Sequence, residues 1–201
     1  MPATRNGDTP VSDSLSLTFD DGPDVGSTPA VLAALAELDV DSTFFMLGER
    51  VESASDAARD VVESGHDVQL HGHRHLRHSE LDEREIEDDT CAALAALAAV
   101  GVRPTRWRTP WGVTTPATER VAARHDLSLV GWTIDTHDWR GDTATTMLER
   151  AERQLVSGAI VLMHDALGPG SRRIDVQNTI DLLGPLLDAA RARGLSVGGL
   201  R

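Results

Sequence analysis

Short apolar segments alternate with helix-patterned ones along nearly the whole chain, and most of the apolar segments stop at a residue able to bind a metal or move a proton. Leu15 to Phe19 sets Leu15, Leu17 and Phe19 on one face and ends at Asp20-Asp21, where Gly22-Pro23 turns the backbone away. Ser42 to Leu47 reads as a buried second strand ending at Gly48. Asp67 to Leu70 reads as a third, running into His71-Gly72-His73-Arg74-His75-Leu76-Arg77-His78. Arg106 to Arg108, Leu127 to Ile134, Ala159 to Met163 and Leu195 to Leu200 complete the set, the last as the closing strand. Between them lie helices: one from Ser27-Thr28-Pro29 through Leu38, one over Val51 to Ser64, and one capped by Ser79 and running through Val100. Two shorter helices are expected near 116–125 and 145–155. A long one follows from about Asp175 to Arg193, with a kink at Gly184-Pro185.

Strand, helix, strand, helix in this order implies a parallel sheet with helices outside. Seven such strands in 201 residues predict an α/β fold, a distorted seven-stranded (β/α) barrel of the TIM-barrel kind but smaller and less regular. A doubly wound open sheet would spread the polar residues at the strand ends into a row. A barrel gathers Asp20 and Asp21, His71 and His75, Arg108, Asp135 and Asp138, and His164 on one face, so the barrel is preferred. A single domain over residues 1–201 is expected, with residues 1–13 a polar N-terminal extension.

The net charge of −13 argues against a nucleic-acid partner, and no apolar run approaches membrane-spanning length. With no apolar leader, a cytoplasmic location is expected. The single cysteine, Cys91, excludes a disulfide framework, leaves no Cys-based zinc site expected, and falls in an Ala/Leu-rich helix, where it reads as a small core residue. All 19 basic residues are arginine and acidic residues number 32, a surface that suits a salt-rich solvent and predicts a halophilic protein.

Two adjacent carboxylates at a strand end repel each other unless a cation takes one of them. His71 and His75, four residues apart, bring two imidazoles to one metal if the segment turns helically, and with Asp21 they form a three-ligand site with open positions. His73 and His78 are alternative ligands. Two His and one carboxylate also describe ferrous oxygenase sites, so the triad alone does not name the reaction. Asp20 is left over and can act as a general base beside a cation that acidifies water; Arg108 is its natural partner. Pro110-Trp111-Gly112 offers a rigid turn, an aromatic wall and a backbone N–H. His164 stands where a general acid is needed, with Asp138 or Asp135 to keep it protonated. Asp165 reads as a loop carboxylate, and His66, His125 and His137 as solvated or structural.

With these residues assembled, the chain resembles the polysaccharide deacetylases of carbohydrate esterase family 4, the NodB-homology domain. Thr18-Phe19-Asp20-Asp21-Gly22-Pro23 matches that family's first motif letter for letter, and His71 to His75 matches its His-Ser/Thr-x-x-His motif. Arg108 to Trp111, Asp135 to Trp139 and Leu162 to His164 resemble the remaining three. The resemblance implies Asp20 as catalytic base, with Asp21, His71 and His75 as ligands of a divalent metal: zinc first, with cobalt and manganese also compatible. It implies His164 as acid supported by Asp138, Arg108 steadying Asp20, and Pro110, Trp111, Trp139 and Leu162 about the substrate, Leu162 against an acetyl methyl. The implied reaction removes N-acetyl groups from amino sugars in an oligo- or polysaccharide. A related hydrolysis of a cyclic imide, a ureide or an O-acetyl ester is the alternative, and a binding module descended from such an enzyme is the non-catalytic one. Gly72 departs from the motif's Ser/Thr, so the hydrogen bond that steadies the ligand loop must come from elsewhere, with His73, Arg74 or His78 as candidates. Trp111 stands where Tyr is commoner. Secreted relatives carry leaders or accessory domains that this chain is expected to lack, which points away from an insoluble wall polymer.

Overall fold

The computed structural model describes residues 13–200, so the extension assigned to residues 1–13 lies, except for Asp13, outside the described residues. The fold is built around β1 (Ser14–Asp20). Along one side β1 pairs with β7 (Ile160–His164). Along the other, its second half pairs with β2 (Thr43–Met46) and its first half with β8 (Ser196–Gly198). Beyond β2 follow β3 (Asp67–Leu70), β4 (Arg106–Trp107) and β5 (Ser128–Leu129); beyond β7 lies β6 (Ile134–Asp135). Every pairing is parallel.

The two outermost strands belong to one segment. The expected fifth strand, Leu127 to Ile134, is split: β5 pairs with β4, β6 pairs with β7, and Val130 to Thr133 spans the gap. Val130 N–H donates to the Trp107 carbonyl at 2.9 Å and Thr133 N–H to the Ile160 carbonyl at 3.0 Å, so the break is hydrogen-bonded to both edges. One straight strand cannot serve both edges, and breaking it is what curls the sheet round. Counting this segment once, the protein is an α/β, distorted seven-stranded (β/α) barrel. The terminal strand does not close it; β8 fills the space beside the start of β1.

Outside the sheet lie α1 (Ser27–Glu37), α2 (Gly48–Ser53), α3 (Ser55–Glu63), α4 (Glu83–Ala99), α5 (Pro116–Arg124), α6 (Ala144–Glu152) and α7 (Gln177–Arg191). The helix expected over Val51 to Ser64 is two helices, broken at Ala54 with φ −132° and ψ 47°. The cap expected at Ser79 is at Asp82 instead. Its carboxylate accepts from Glu85 N–H and the Glu85 side chain accepts from Asp82 N–H, a reciprocal capping box, while Ser79 sits in a preceding 3₁₀ turn. Pro185 lies inside α7, which runs on as one helix to Arg191.

Alternation along the strands separates two interiors. Leu15, Leu17, Phe19 and Phe44 pack outward with Val31 and Leu35 of α1 and Leu183 and Leu187 of α7. Toward the barrel axis lie Thr18, Asp20 and Phe45, and the fully buried Arg108 fills the space between them. Cys91 is not a core residue: Ile86, Thr90, Ala93 and Leu97 take the buried face of α4 and leave Cys91 exposed. Among the described residues no helix is long and apolar enough to cross a membrane.

Candidate active site and metal centre

Because all strands are parallel, their carboxyl ends open on one face, and the residues that follow them meet there. Asp20 ends β1 and is directly paired with His164, which ends β7. His71 follows β3, Arg108 follows β4, and Asp138 lies in the turn after β6. A cavity of about 210 Å³ is lined by Asp20, Asp21, His71, His75, Trp111, Trp139, Leu162 and His164, with Asp135 and Trp132 on its wall. Pro110 does not line it: between the lining residues Thr109 and Trp111, it is buried against Gly72.

Asp21 Oδ1 lies 3.4 Å from His71 Nε2 and 3.2 Å from His75 Nε2. That oxygen is buried and has no hydrogen-bond donor beyond these two imidazoles. His71 Nδ1–H donates to the Arg108 carbonyl at 2.7 Å, which fixes the ring so that Nε2 turns to Asp21. Burial alone would raise the Asp21 carboxyl, but the bonds to His71 and His75 and the charge of His164 outweigh it and hold it well below the usual carboxylate range. Burial likewise works against a charge on His71, and Asp20 and Asp21 overcome it, raising its pKa. An ionised carboxylate between two imidazoles, one of them fixed by the Arg108 carbonyl, is a donor set that fits a divalent cation. The alternative ligands are elsewhere. His78 is buried against Trp107, bonded to Thr118 and pushed down to about 4 by burial, and His73 Nδ1 is turned toward Gly48.

Left-handed backbone at Asp21 (φ 76°) and His75 (φ 55°) helps aim these side chains into the cavity, and Gly72 between the two histidines is left-handed as well (φ 86°). The support missing at Gly72 comes from Asp89 on α4, whose carboxylate accepts from His73 N–H at 2.8 Å and pairs with Arg74 at 3.0 Å. Asp165 is no loop carboxylate. It is buried, accepts from Gly22 N–H and the Thr28 hydroxyl, and so braces the turn that carries Asp21; burial pushes it up to about 7. Gly168 passes so close to Asp21 that a Cβ there would collide with Oδ2. Gly168→Ala is therefore expected to weaken divalent-metal affinity by about tenfold or more, measured by chelator competition. Unchanged affinity would show that this carboxylate has room to move.

Arg108 Nη1 donates to Asp20 Oδ1 at 2.8 Å and to Thr18 Oγ1 at 2.7 Å, and Nη2 to the Gly131 carbonyl at 2.9 Å. The guanidinium stacks over Phe45, so the pair is fixed in position. On the opposite wall, Asp138 rather than Asp135 serves His164: Oδ1 meets His164 Nδ1 at 2.7 Å and Oδ2 accepts from His164 N–H at 2.9 Å. Asp135 is engaged by His137 at 2.8 Å. Burial disfavours charge on both members of the His164–Asp138 pair, yet each stabilises the other. Asp138 is lowered to about 2 and His164 raised to about 9.

Arg173, absent from the motif reading, completes this wall. It donates to Asp138 Oδ2 at 2.7 Å and to the His164 and Ala166 carbonyls, while the Thr179 hydroxyl donates to the same Oδ2 at 2.8 Å. No local pattern marks either residue, because both act through the fold. Trp111 edges against His75 and is covered by Arg77; Arg140 covers Trp139.

The polysaccharide deacetylase family profile matches residues 7–130. A chitooligosaccharide deacetylase of Bradyrhizobium sp. (strain ANU 289) is 31% identical, over 95% of this chain and 90% of its own length. A peptidoglycan-N-acetylglucosamine deacetylase of Bacillus cereus is 28% identical over 90% of this chain and 64% of its own. Among solved structures, a family 4 carbohydrate esterase from Streptomyces lividans in complex with acetate superposes with a TM-score of 0.83 at 27% identity, covering 92% of each chain. The Bc1960 peptidoglycan N-acetylglucosamine deacetylase gives 0.87 at 27% identity, covering 94% of this chain and 86% of that one. The chain belongs to the polysaccharide deacetylase family, the carbohydrate esterases of family 4, and is by that membership a metal-dependent hydrolase.

Proposed function

We propose that this chain, as one catalytic domain, removes N-acetyl groups from amino sugars within an oligo- or polysaccharide. The observation that carries the reading is the pair of opposed proton-handling groups, Asp20 with Arg108 and His164 with Asp138. They sit on neighbouring strands on either side of one three-ligand cluster. The names of the relatives, chitooligosaccharide and peptidoglycan-N-acetylglucosamine deacetylases, support the substrate class.

Asp21, His71 and His75 hold the cation, and two imidazoles with one carboxylate favour zinc, with cobalt and manganese as substitutes. Once bound, it acidifies water and polarises the acetamide carbonyl. Asp20, steadied by Arg108, takes a proton from the attacking water. The Trp111 backbone N–H donates to the developing oxyanion. Leu162 contacts the acetyl methyl, and Trp139 and Trp111 wall the sugar. His164, protonated through neutral pH, gives its proton to the nitrogen as the C–N bond breaks, leaving acetate and a free amino sugar.

Acetate release from N-acetylglucosamine oligomers, with and without added zinc, tests this. Release that is zinc-dependent and lost on chelation is expected. No release from folded, zinc-loaded protein would move the assignment to cyclic imides, ureides or O-acetyl esters. The acidic, lysine-free composition further supports a salt-rich working solvent. Activity and thermal midpoint are expected to rise with salt, because ions screen the self-repulsion; full activity and cooperative folding in dilute buffer would end that idea.

A further inference from the structure

We propose that Glu87, Cys91 and His125 form a second transition-metal site that clips α4 to α5 on the outside of the barrel. Glu87 and Cys91 are one helical turn apart on α4, so both point to one side of it. His125 is the residue on which α5 ends, and its ring lies against them. His125 Nε2 is 2.6 Å from Glu87 Oε1, Cys91 Sγ is 3.6 Å from that oxygen, and Sγ is 3.8 Å from His125 Nε2. Ligands of a tetrahedral zinc, with Zn–S about 2.3 Å and Zn–N about 2.0 Å, stand about 3.5 Å apart. Two of the three separations are therefore already close to what a cation needs, and the third requires only that the His–Glu hydrogen bond open by under about 1 Å.

The surroundings favour such a use. Arg124 holds Glu87 through its other oxygen, Oε2, at 2.7 and 2.9 Å, which orients the carboxylate and leaves Oε1 for the cation. Arg120 and Arg124 both pair with Glu83, fixing the two helices in register. Cys91 is exposed, so a cation can enter and a solvent molecule can take the fourth position. Thiolate, imidazole and carboxylate together select zinc or cobalt over magnesium or calcium. Partial desolvation of the sulfur against the helix, and Glu87 after it, raise the Cys91 thiol, so binding must expel its proton: the S–H bond breaks, the S–metal bond forms and the proton passes to solvent.

Cys91 is the chain's only cysteine, which gives the site a signature that the His71–His75–Asp21 cluster cannot produce. Titration of the full-length protein with Co²⁺ is expected to raise a near-ultraviolet thiolate-to-cobalt charge-transfer band. The band should vanish in Cys91→Ser, fall sharply in His125→Gln, and survive in His75→Ala, which damages only the other cluster. Saturating Zn²⁺ should slow reaction of the Cys91 thiol with a disulfide reagent by about tenfold or more. Because Cys91 is exposed, its substitution leaves the fold intact, checked by circular dichroism. No thiolate band in folded, cobalt-saturated protein, or a band undiminished in His125→Gln, overturns the proposal. Neither result bears on the deacetylase reading.

Discussion

Asp20→Asn is expected to lower kcat for acetate release by about 10³-fold, the middle of the range for losing a positioned general base. Divalent-metal binding should be retained. Asn keeps the shape and one carbonyl oxygen for Arg108 Nη1, and Arg108 keeps its bonds to Thr18 and Gly131, so the barrel interior stays filled. Asp21, His71 and His75 are untouched, so metal content should match the wild type, whereas Asp21→Asn should lose the metal. This contrast matters because Asp20 Oδ2 lies only 3.8 Å from His71 Nε2, near enough for Asp20 to share in ligation. Zinc content that falls with Asp20→Asn would make it a ligand. A folded, zinc-loaded variant within about tenfold of wild-type activity would remove it as the base.

Asp20, Asp21, His71 and His75 were legible in the sequence because their chemistry is local. A strand ends at paired carboxylates, and two imidazoles fall four residues apart. The barrel was legible for the same reason, since each strand and helix carries its own periodicity. What escaped depends on partners far along the chain. The break in the fifth strand follows from the need to pair with both β4 and β7, and Val130 to Thr133 carries no marker of that except Gly131. Arg173 reaches Asp138 across 35 residues, and Asp165 reaches Thr28 across 137; neither sits in a pattern of its own. Two features do carry a usable local signal. Asp82 with Glu85 spells a capping box three residues beyond Ser79, and the spacing of Ile86, Thr90, Ala93 and Leu97 puts Cys91 on the outer face of α4.

Asp138→Asn is expected to move the alkaline limb of the kcat–pH profile down, toward the ordinary histidine value of 6.5. The sign follows from which form works. In the proposed mechanism His164 must carry a proton to give to the amine, so activity would be present below its pKa and lost above it. Asp138 raises that pKa by stabilising imidazolium across a 2.7 Å contact, and an amide cannot do so. Once it is gone, burial acts unopposed by its strongest counterweight and pushes the proton off. At pH 8 the variant would then hold its acid largely deprotonated, so the loss there should be far larger than at pH 6. Arg173 sharpens the test, because its guanidinium stays to hold the His164 and Ala166 carbonyls, so the wall keeps its shape while the carboxylate charge disappears. Asp135→Asn, which alters the contact to His137 instead, should leave the limb in place. A limb that moves in Asp135→Asn and stays fixed in Asp138→Asn would mean that the proton donor is not His164 held by Asp138.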